Sequence, residues 1–466
     1  MRYVSTRGEA PVLGFDEVLL SGLARDGGLY VPEAWPKFSA ADWRALTGLP
    51  YAEAALRILT PFVGDTIAAA DLAAILRDAY AGFDHPAVAP LKQIGANDWL
   101  LELFHGPTLA FKDYALQVVG RLFDHVLARR RSRVTIVGAT SGDTGSAAIE
   151  ACRDREAIEI FILHPQGRVS EVQRRQMTTV TSPNVHNIAV EGTFDDCQDL
   201  VKGMFGDEQF RGRVNLSAVN SINWARIAAQ IVYYAVAAVA LGAPARAVAF
   251  TVPTGNFGNI FAGYAAQRMG LPIQRFVVGS NRNDILFRLL VTGSMTMEPV
   301  SPSLSPSMDI QVSSNFERLL FELAGRNGKS VAEMMQRFRG RGELKLSPTR
   351  HAKLKRLFAG CRAGDDETLT MIGRCHAATG ELVDPHTAVG LVAAGAQRGD
   401  LAVPMVTVAT AHPAKFPDAV ERATGIRPAL PARLADLMQR PERVVVLPND
   451  RQRVQDFILE HNRVAA

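Results

Sequence analysis

Paired cysteines are missing from this chain. Its four cysteines, Cys152, Cys197, Cys361 and Cys375, show no CxxC spacing, which excludes a disulfide-framed scaffold and suggests a reducing compartment. Cys375 and His376 are adjacent, but no further ligands stand at zinc-site spacing, and His105, His164, His386 and His412 each sit beside Pro or Gly as turn residues would. No catalytic metal is expected. An excess of one charge is also lacking: 51 Lys and Arg against 47 Asp and Glu leave +4, too little to imply nucleic acid. The densest basic run, Arg337 to Arg356, contains one aromatic residue and Glu343, and reads as a solvated face or helical excursion. Only Ile227 to Ala243 approaches a membrane span, whose lower limit is about 17 residues. It is alanine-rich, carries Gln230 and runs into the strand-like "ARAVAFTVP", so a buried helix is expected and no membrane partner. The opening "MRYVSTRGEAPVLGF" holds no apolar core of the signal-peptide kind, and a cytoplasmic location is the expectation.

What remains is an ordinary globular composition, 47% hydrophobic and 21% charged over 466 residues, long enough for two or three domains. Three segments repeat one pattern: an apolar strand, a turn of small residues, then a helix. Val134 to Val137 leads to a helix at Ser146 to Cys152, Ala247 to Val252 leads to a helix from about Ile260, and Met405 to Ala409 ends in a Pro-punctuated loop. Continuous apolar strands alternating with helices predict parallel sheets covered on both faces, with ligands at the carboxyl ends of the strands. Residues 1 to 90 look separate, with helical patterns such as "DLAAILRDAYAGF"; Ser301 to Ser314 reads as a long loop, of a length that is usually functional or disordered.

The stretch "HGPTLAFKDYALQ" places a lysine in an apolar stripe. Read as a helix from Thr108, it aligns Leu109, Lys112, Leu116 and Val119 on one face. A buried amine tends to lose its proton, and a neutral amine is what a Schiff base needs. "TGNFGN", Thr254 to Asn259, sets two glycines between strand and helix and can cradle a phosphate on backbone N–H groups. "SGDTG", Ser141 to Gly145, is a second cradle, with Ser141 and Thr144 hydroxyls suited to a carboxylate and Asp143 suited to orienting a phenolic or hydroxyl partner. Each loop alone is equally a plain turn or cap. Together with a strand-end hydroxyl at Thr410 they suit pyridoxal phosphate, with its aldehyde, phosphate and ring nitrogen.

These stretches, with "DGGLYVP", "HPQGRVSEVQRRQMTT", "VEGTFDDCQDLVK", "NSINWARIAAQIVYY", "SPSMDIQVSSNFERLLFE", "DPHTAVG" and "ATAHPAKFP", closely resemble the threonine synthase family, in its longer yeast- and enterobacteria-like branch. The resemblance implies the fold of the tryptophan-synthase-β-like group: α/β, with two parallel-sheet lobes enclosing pyridoxal phosphate and a mainly helical N-terminal region. It implies lobes at 91–130 with 245–430 for the cofactor and 131–244 for substrate and cofactor, an N-terminal region at 1–90 and a C-terminal helical tail at 431–466. By the same resemblance, Lys112 carries the cofactor and shuttles protons, and Gly255, Asn256, Phe257, Gly258 and Asn259 bind its phosphate. Thr410 meets the ring nitrogen, and Asp143 lies near the 3′-oxygen. Ser141 and Thr144 would take the substrate carboxylate, with Arg168, Asn220, Asn223 and Arg226 as candidates for its phosphate. The implied reaction turns O-phospho-L-homoserine and water into L-threonine and phosphate, in a monomer or weak dimer. The alternatives are another pyridoxal phosphate lyase, such as a serine or threonine dehydratase or cystathionine synthase, and a phosphate-binding homologue without catalysis.

Overall fold

Strands of near-continuous apolar sequence form two sheets. The computed structural model describes residues 1–217 and 221–463, and their packing divides the chain into two units. The first comprises 1–18, 23–111 and 221–428; the second comprises 19–22, 112–220 and 429–466.

The first unit holds a six-stranded sheet in the order Phe358–Arg362, Ile273–Ser280, Val248–Pro253, Met405–Ala409, Asp98–Glu102, Leu91–Gln93. All neighbours are parallel except the last pair. Every residue of the two central strands, Val248–Pro253 and Met405–Ala409, is buried, as helices on both faces require. The N-terminal region carries the helices Tyr51–Val63 and Ala69–Tyr80, and adds an antiparallel pair, Tyr3–Ser5 with Tyr30–Pro32. It packs as part of this unit. Tyr3, Trp35 and Phe62 surround Trp224, at the start of the helix Trp224–Ala240, with ring centroids 5.7–6.0 Å away. That helix is the buried one expected at Ile227 to Ala243, and no helix among the described residues is long and apolar enough to cross a membrane.

The second unit holds a five-stranded, wholly parallel sheet in the order Val445–Pro448, Val185–Glu191, Ile158–Pro165, Val134–Ala139, Leu216–Ser217. One face packs Val137, Phe161, Leu163, Ile188 and Val190 against Leu200, Met204, Val454 and Ile458. The stretch read as a helical tail thus contributes an edge strand, Val445–Pro448, before its helix Arg451–His461. The helix Lys112–Arg130 also falls in this unit rather than with the larger lobe. A Cβ on Gly120 would lie 2.3 Å from the Ala151 carbonyl oxygen, so this helix and Asp143–Cys152 meet backbone to backbone.

Candidate functional site

In the second unit, the helix read from Thr108 begins instead at Lys112. Leu109 has a left-handed φ of 62°, and the chain before the helix is pinned to the first unit's sheet end. There Phe111 N–H donates to the Thr410 carbonyl at 2.9 Å, and His412 N–H donates to the Leu109 carbonyl at 3.0 Å. Lys112, the next residue along the chain, is therefore the first residue of its helix and 8% exposed. Burial and the positive helix terminus both disfavour an ammonium. Asp143 opposes them, with Oδ2 3.2 Å from Lys112 Nζ. Asp143, expected to orient a phenolic or hydroxyl partner, pairs here with the lysine and accepts from Gln173 Nε2 at 2.8 Å on Oδ1. It is the first residue of the helix Asp143–Cys152, where a carboxylate suits the dipole. The turn before it is built by Thr140, whose hydroxyl accepts from the Gly142 and Gly145 N–H groups at 3.0 and 2.8 Å.

In the first unit, Thr254–Asn259 follows the central strand Val248–Pro253, at the same sheet end as the buried Thr410. Phe257 is left-handed (φ 64°) at the N-cap of the helix Gly258–Met269, the backbone conformation from which anion-binding turns are built. Its ring is held by Phe316 at 5.1 Å and Phe358 at 5.8 Å. Ser313 Oγ donates to the Gly255 carbonyl at 2.7 Å, and Asn315 N–H donates to the Asn256 carbonyl at 3.0 Å. A Cβ on Gly255 would meet the Ser307 carbonyl oxygen at 3.0 Å. The loop Ser301 to Ser314 is thus a wall rather than a free lid. Asn281, Asn283 and the Ser303 hydroxyl all donate to Asp309 Oδ1 at 2.6–2.9 Å, and Ser307 N–H donates to His386 Nε2 at 3.2 Å. With Nε2 accepting, the ring hydrogen of His386 lies on Nδ1, 2.6 Å from Asp384 Oδ2.

Two buried groups of the first unit have donors without acceptors among the described residues. Asn259 is 8% exposed; its Oδ1 accepts from the Tyr233 and Tyr234 hydroxyls at 2.7 and 2.8 Å, which leaves Nδ2 with no acceptor among the described residues. Arg226, 3% exposed, likewise finds no acceptor there for Nε and Nη1. Burial pulls its guanidinium down to about 10, with the nearby Tyr233 opposing. A buried unpaired cation is costly, and an anion would relieve it. A helix N-terminus, a glycine that must stay bare, an undonated amide N–H and an unpaired guanidinium are what a phosphate-bearing cofactor and an anionic substrate need. The residues present fit pyridoxal phosphate.

The other expected residues are less uniform. Ser141 is exposed and Thr144 half-buried around the second cradle. Arg168 is exposed in the turn after Ile158–Pro165 and acts on Asp196 through its charge. Asn223 is a helix cap, its side chain accepting from Ala225 N–H at 2.9 Å. Asn220 lies outside the described residues. His164 ends a strand and His386 opens the helix Pro385–Ala396, so neither is the turn residue expected. Gln173, Tyr233 and Tyr234 were not anticipated. Two hydroxyls on a largely apolar helix were the available signal, because buried tyrosines need partners. Gln173 left none.

Three family models match: "Threonine synthase N terminus" over residues 2–80, "Pyridoxal-phosphate dependent enzyme" over 85–339 and "Threonine synthase, C-terminal" over 387–458. A threonine synthase of Pseudomonas aeruginosa is 58% identical over 462 residues, 99% of this chain and 98% of that one. The crystal structure of PLP-bound threonine synthase from Brucella melitensis is 56% identical and aligns with a TM-score of 0.98, covering 99% of this chain and 100% of that one. The threonine synthase structure from yeast aligns at 0.94 with 38% identity, over 99% and 98% of the two chains.

Proposed function

Because this chain belongs to the threonine synthase family of pyridoxal phosphate enzymes, we propose that it converts O-phospho-L-homoserine and water into L-threonine and inorganic phosphate. The observation that carries this reading is Lys112, a buried amine at a helix start, held 3.2 Å from the Asp143 carboxylate. Pyridoxal phosphate, when bound, supplies an aldehyde for that amine and a ring that withdraws electrons from the substrate's α-carbon. The Gly255–Asn259 backbone and Asn259 Nδ2 would hold its phosphate, and Thr410 would offer a hydroxyl to its ring nitrogen. Lys112 takes up and returns the protons that the reaction moves at carbon, since Cβ must exchange a hydrogen for the hydroxyl of water while Cγ exchanges phosphate for a hydrogen. The departing phosphate needs a cation. Arg226 serves it better than Arg168, because the buried guanidinium has donors without acceptors among the described residues, where the exposed one is already solvated. Ser141 and Thr144, beside the positive start of the helix Asp143–Cys152, take the substrate carboxylate. We keep the cytoplasm as the compartment and a monomer or weak dimer as the working state.

The test compares wild type with Lys112→Ala in absorbance and in phosphate and threonine release from O-phosphohomoserine. Visible absorbance and both products from wild type alone support the reading. Ammonia from serine or threonine, without phosphate, would move the assignment to a dehydratase. Absence of colour after added pyridoxal phosphate would leave a phosphate-binding protein.

A further inference from the structure

Arg318, on the helix Phe316–Leu323, is fully buried, yet no carboxylate stands within ion-pair distance of it among the described residues. The neighbouring acid, Glu317, is occupied elsewhere: it accepts from Thr6 Oγ1 at 2.7 Å and from Arg7 Nε and Nη2 at 3.0 and 2.9 Å. A buried cation without a counter-charge is costly unless its N–H groups find oxygens. All three nitrogens of Arg318 do. Nε donates to the Tyr30 carbonyl at 3.0 Å, Nη1 to Asn315 Oδ1 and Nη2 to the Ile222 carbonyl. The Trp224 ring adds a favourable face, its centroid 5.8 Å from Arg318 Cζ.

These acceptors lie on separate segments of the first unit. Ile222 directly precedes Asn223, the cap of the helix Trp224–Ala240, and Arg226 stands in that helix's first turn. Asn315 grips the same segment, its Nδ2 donating to the Ser221 carbonyl at 3.1 Å. Its backbone N–H donates at 3.0 Å to the Asn256 carbonyl of the phosphate loop. One guanidinium and one amide therefore tie the chain before Arg226 to the loop Thr254–Asn259. Oxygens on several segments require a planar fork with donors in several directions, which lysine lacks. We propose that Arg318 is a positioning residue that sets Arg226 against the phosphate loop, and so fixes where the substrate's phosphate sits relative to the cofactor's. This inference rests on the role given to Arg226 above. Placement matters because a shift of about 1 Å can cost about 100-fold in rate.

The test uses full-length holoenzyme and two ligands read by calorimetry: inorganic phosphate, and L-threonine, which carries no phosphate. Arg318→Lys keeps the charge and removes the fork. The expected result is phosphate binding weaker by about 10-fold, with L-threonine within about two-fold of wild type, as loss of charge-assisted hydrogen bonds implies. Asn315→Ala removes the amide while leaving Arg318 in place, and is expected to show the same selective loss at about 3-fold. It carries the test if Arg318→Lys fails to fold. Equal loss for both ligands, or unchanged affinity for both whatever the melting temperature, would make Arg318 a structural tie and overturn the proposal. Failure of both variants to fold would do the same. Arg226→Gln separates this failure from that of the functional reading: if it also leaves phosphate binding unchanged, Arg226 does not hold phosphate. If Arg226→Gln alone weakens phosphate, only the role of Arg318 falls.

Discussion

The two tyrosines behind the phosphate loop allow a worked perturbation: Tyr233→Phe, Tyr234→Phe and the double variant. Both rings are fully buried, and burial holds the Tyr234 hydroxyl far above its usual range, so it remains a donor at any working pH. Each hydroxyl meets the same Asn259 oxygen, at 2.7 and 2.8 Å. A hydroxyl has one proton, so with Asn259 receiving it, Gln230, 3.0 Å from Tyr233 Oη, serves best with its amide turned to donate. Removing one hydroxyl leaves Asn259 Oδ1 with the other donor, a loss of about 1 kcal/mol. Removing both strands a buried carbonyl, which adds about 1–3 kcal/mol, so the double variant is expected to lose more than the two singles combined. Asn259 is then free to rotate, and Nδ2 ceases to face the loop. The expected affinity for pyridoxal phosphate falls about 2- to 5-fold in each single and at least about 10-fold in the double. Absorbance titration gives the affinity, and urea unfolding of cofactor-free protein gives the stability. A folded double variant that binds within two-fold of wild type would refute the idea that the tyrosines aim this amide.

Gly255→Ala should weaken cofactor binding by about 10-fold, because the new Cβ would press on the Ser307 carbonyl at 3.0 Å and on Met308 Cα at 3.2 Å. Gly399→Ala, where a Cβ meets nothing within 4 Å, is the control and should bind as wild type. His412 supplies a pH dependence. Burial, aided by the nearby His105, pulls its imidazole down to about 4, and Nδ1 accepts from Ala414 N–H at 3.1 Å. The folded value lies below the unfolded one, so the unfolded chain takes up the proton first. This contribution to stability is complete above about pH 6.5 and is lost progressively toward about pH 4, by up to about 3 kcal/mol. Urea midpoints measured across that window should fall less for His412→Gln, and equal slopes would contradict the assignment.

The parts of the molecule that depend on local pattern were legible in its sequence. The strand Met405–Ala409 stands where its apolar run placed it, Val134–Ala139 extends the expected run by two residues, and Val248–Pro253 is the expected run shifted by one. Period-two and period-3.6 patterns, and glycines between strand and helix, are properties of short segments, so both cradles and Lys112 could be singled out before any contact was known. Local pattern also misled. Leu109 fits a helical stripe, yet hydrogen bonds to the segment after a strand about 300 residues away hold it at a φ of 62°, and the helix begins at Lys112. Only the tertiary structure decided that Asp143 would meet Lys112 and Gln173, each about 30 residues distant, that Asn259 would be gripped by two tyrosines of another helix, and that Arg226 would be buried with Nε and Nη1 lacking an acceptor among the described residues. It also decided that residues 1–18 and 23–111 join the larger unit and that Val445–Pro448 closes a sheet. Such facts depend on which surfaces meet when sheets and helices pack. Sequence spacing sets which face of an element a side chain occupies, and packing alone sets what that face touches.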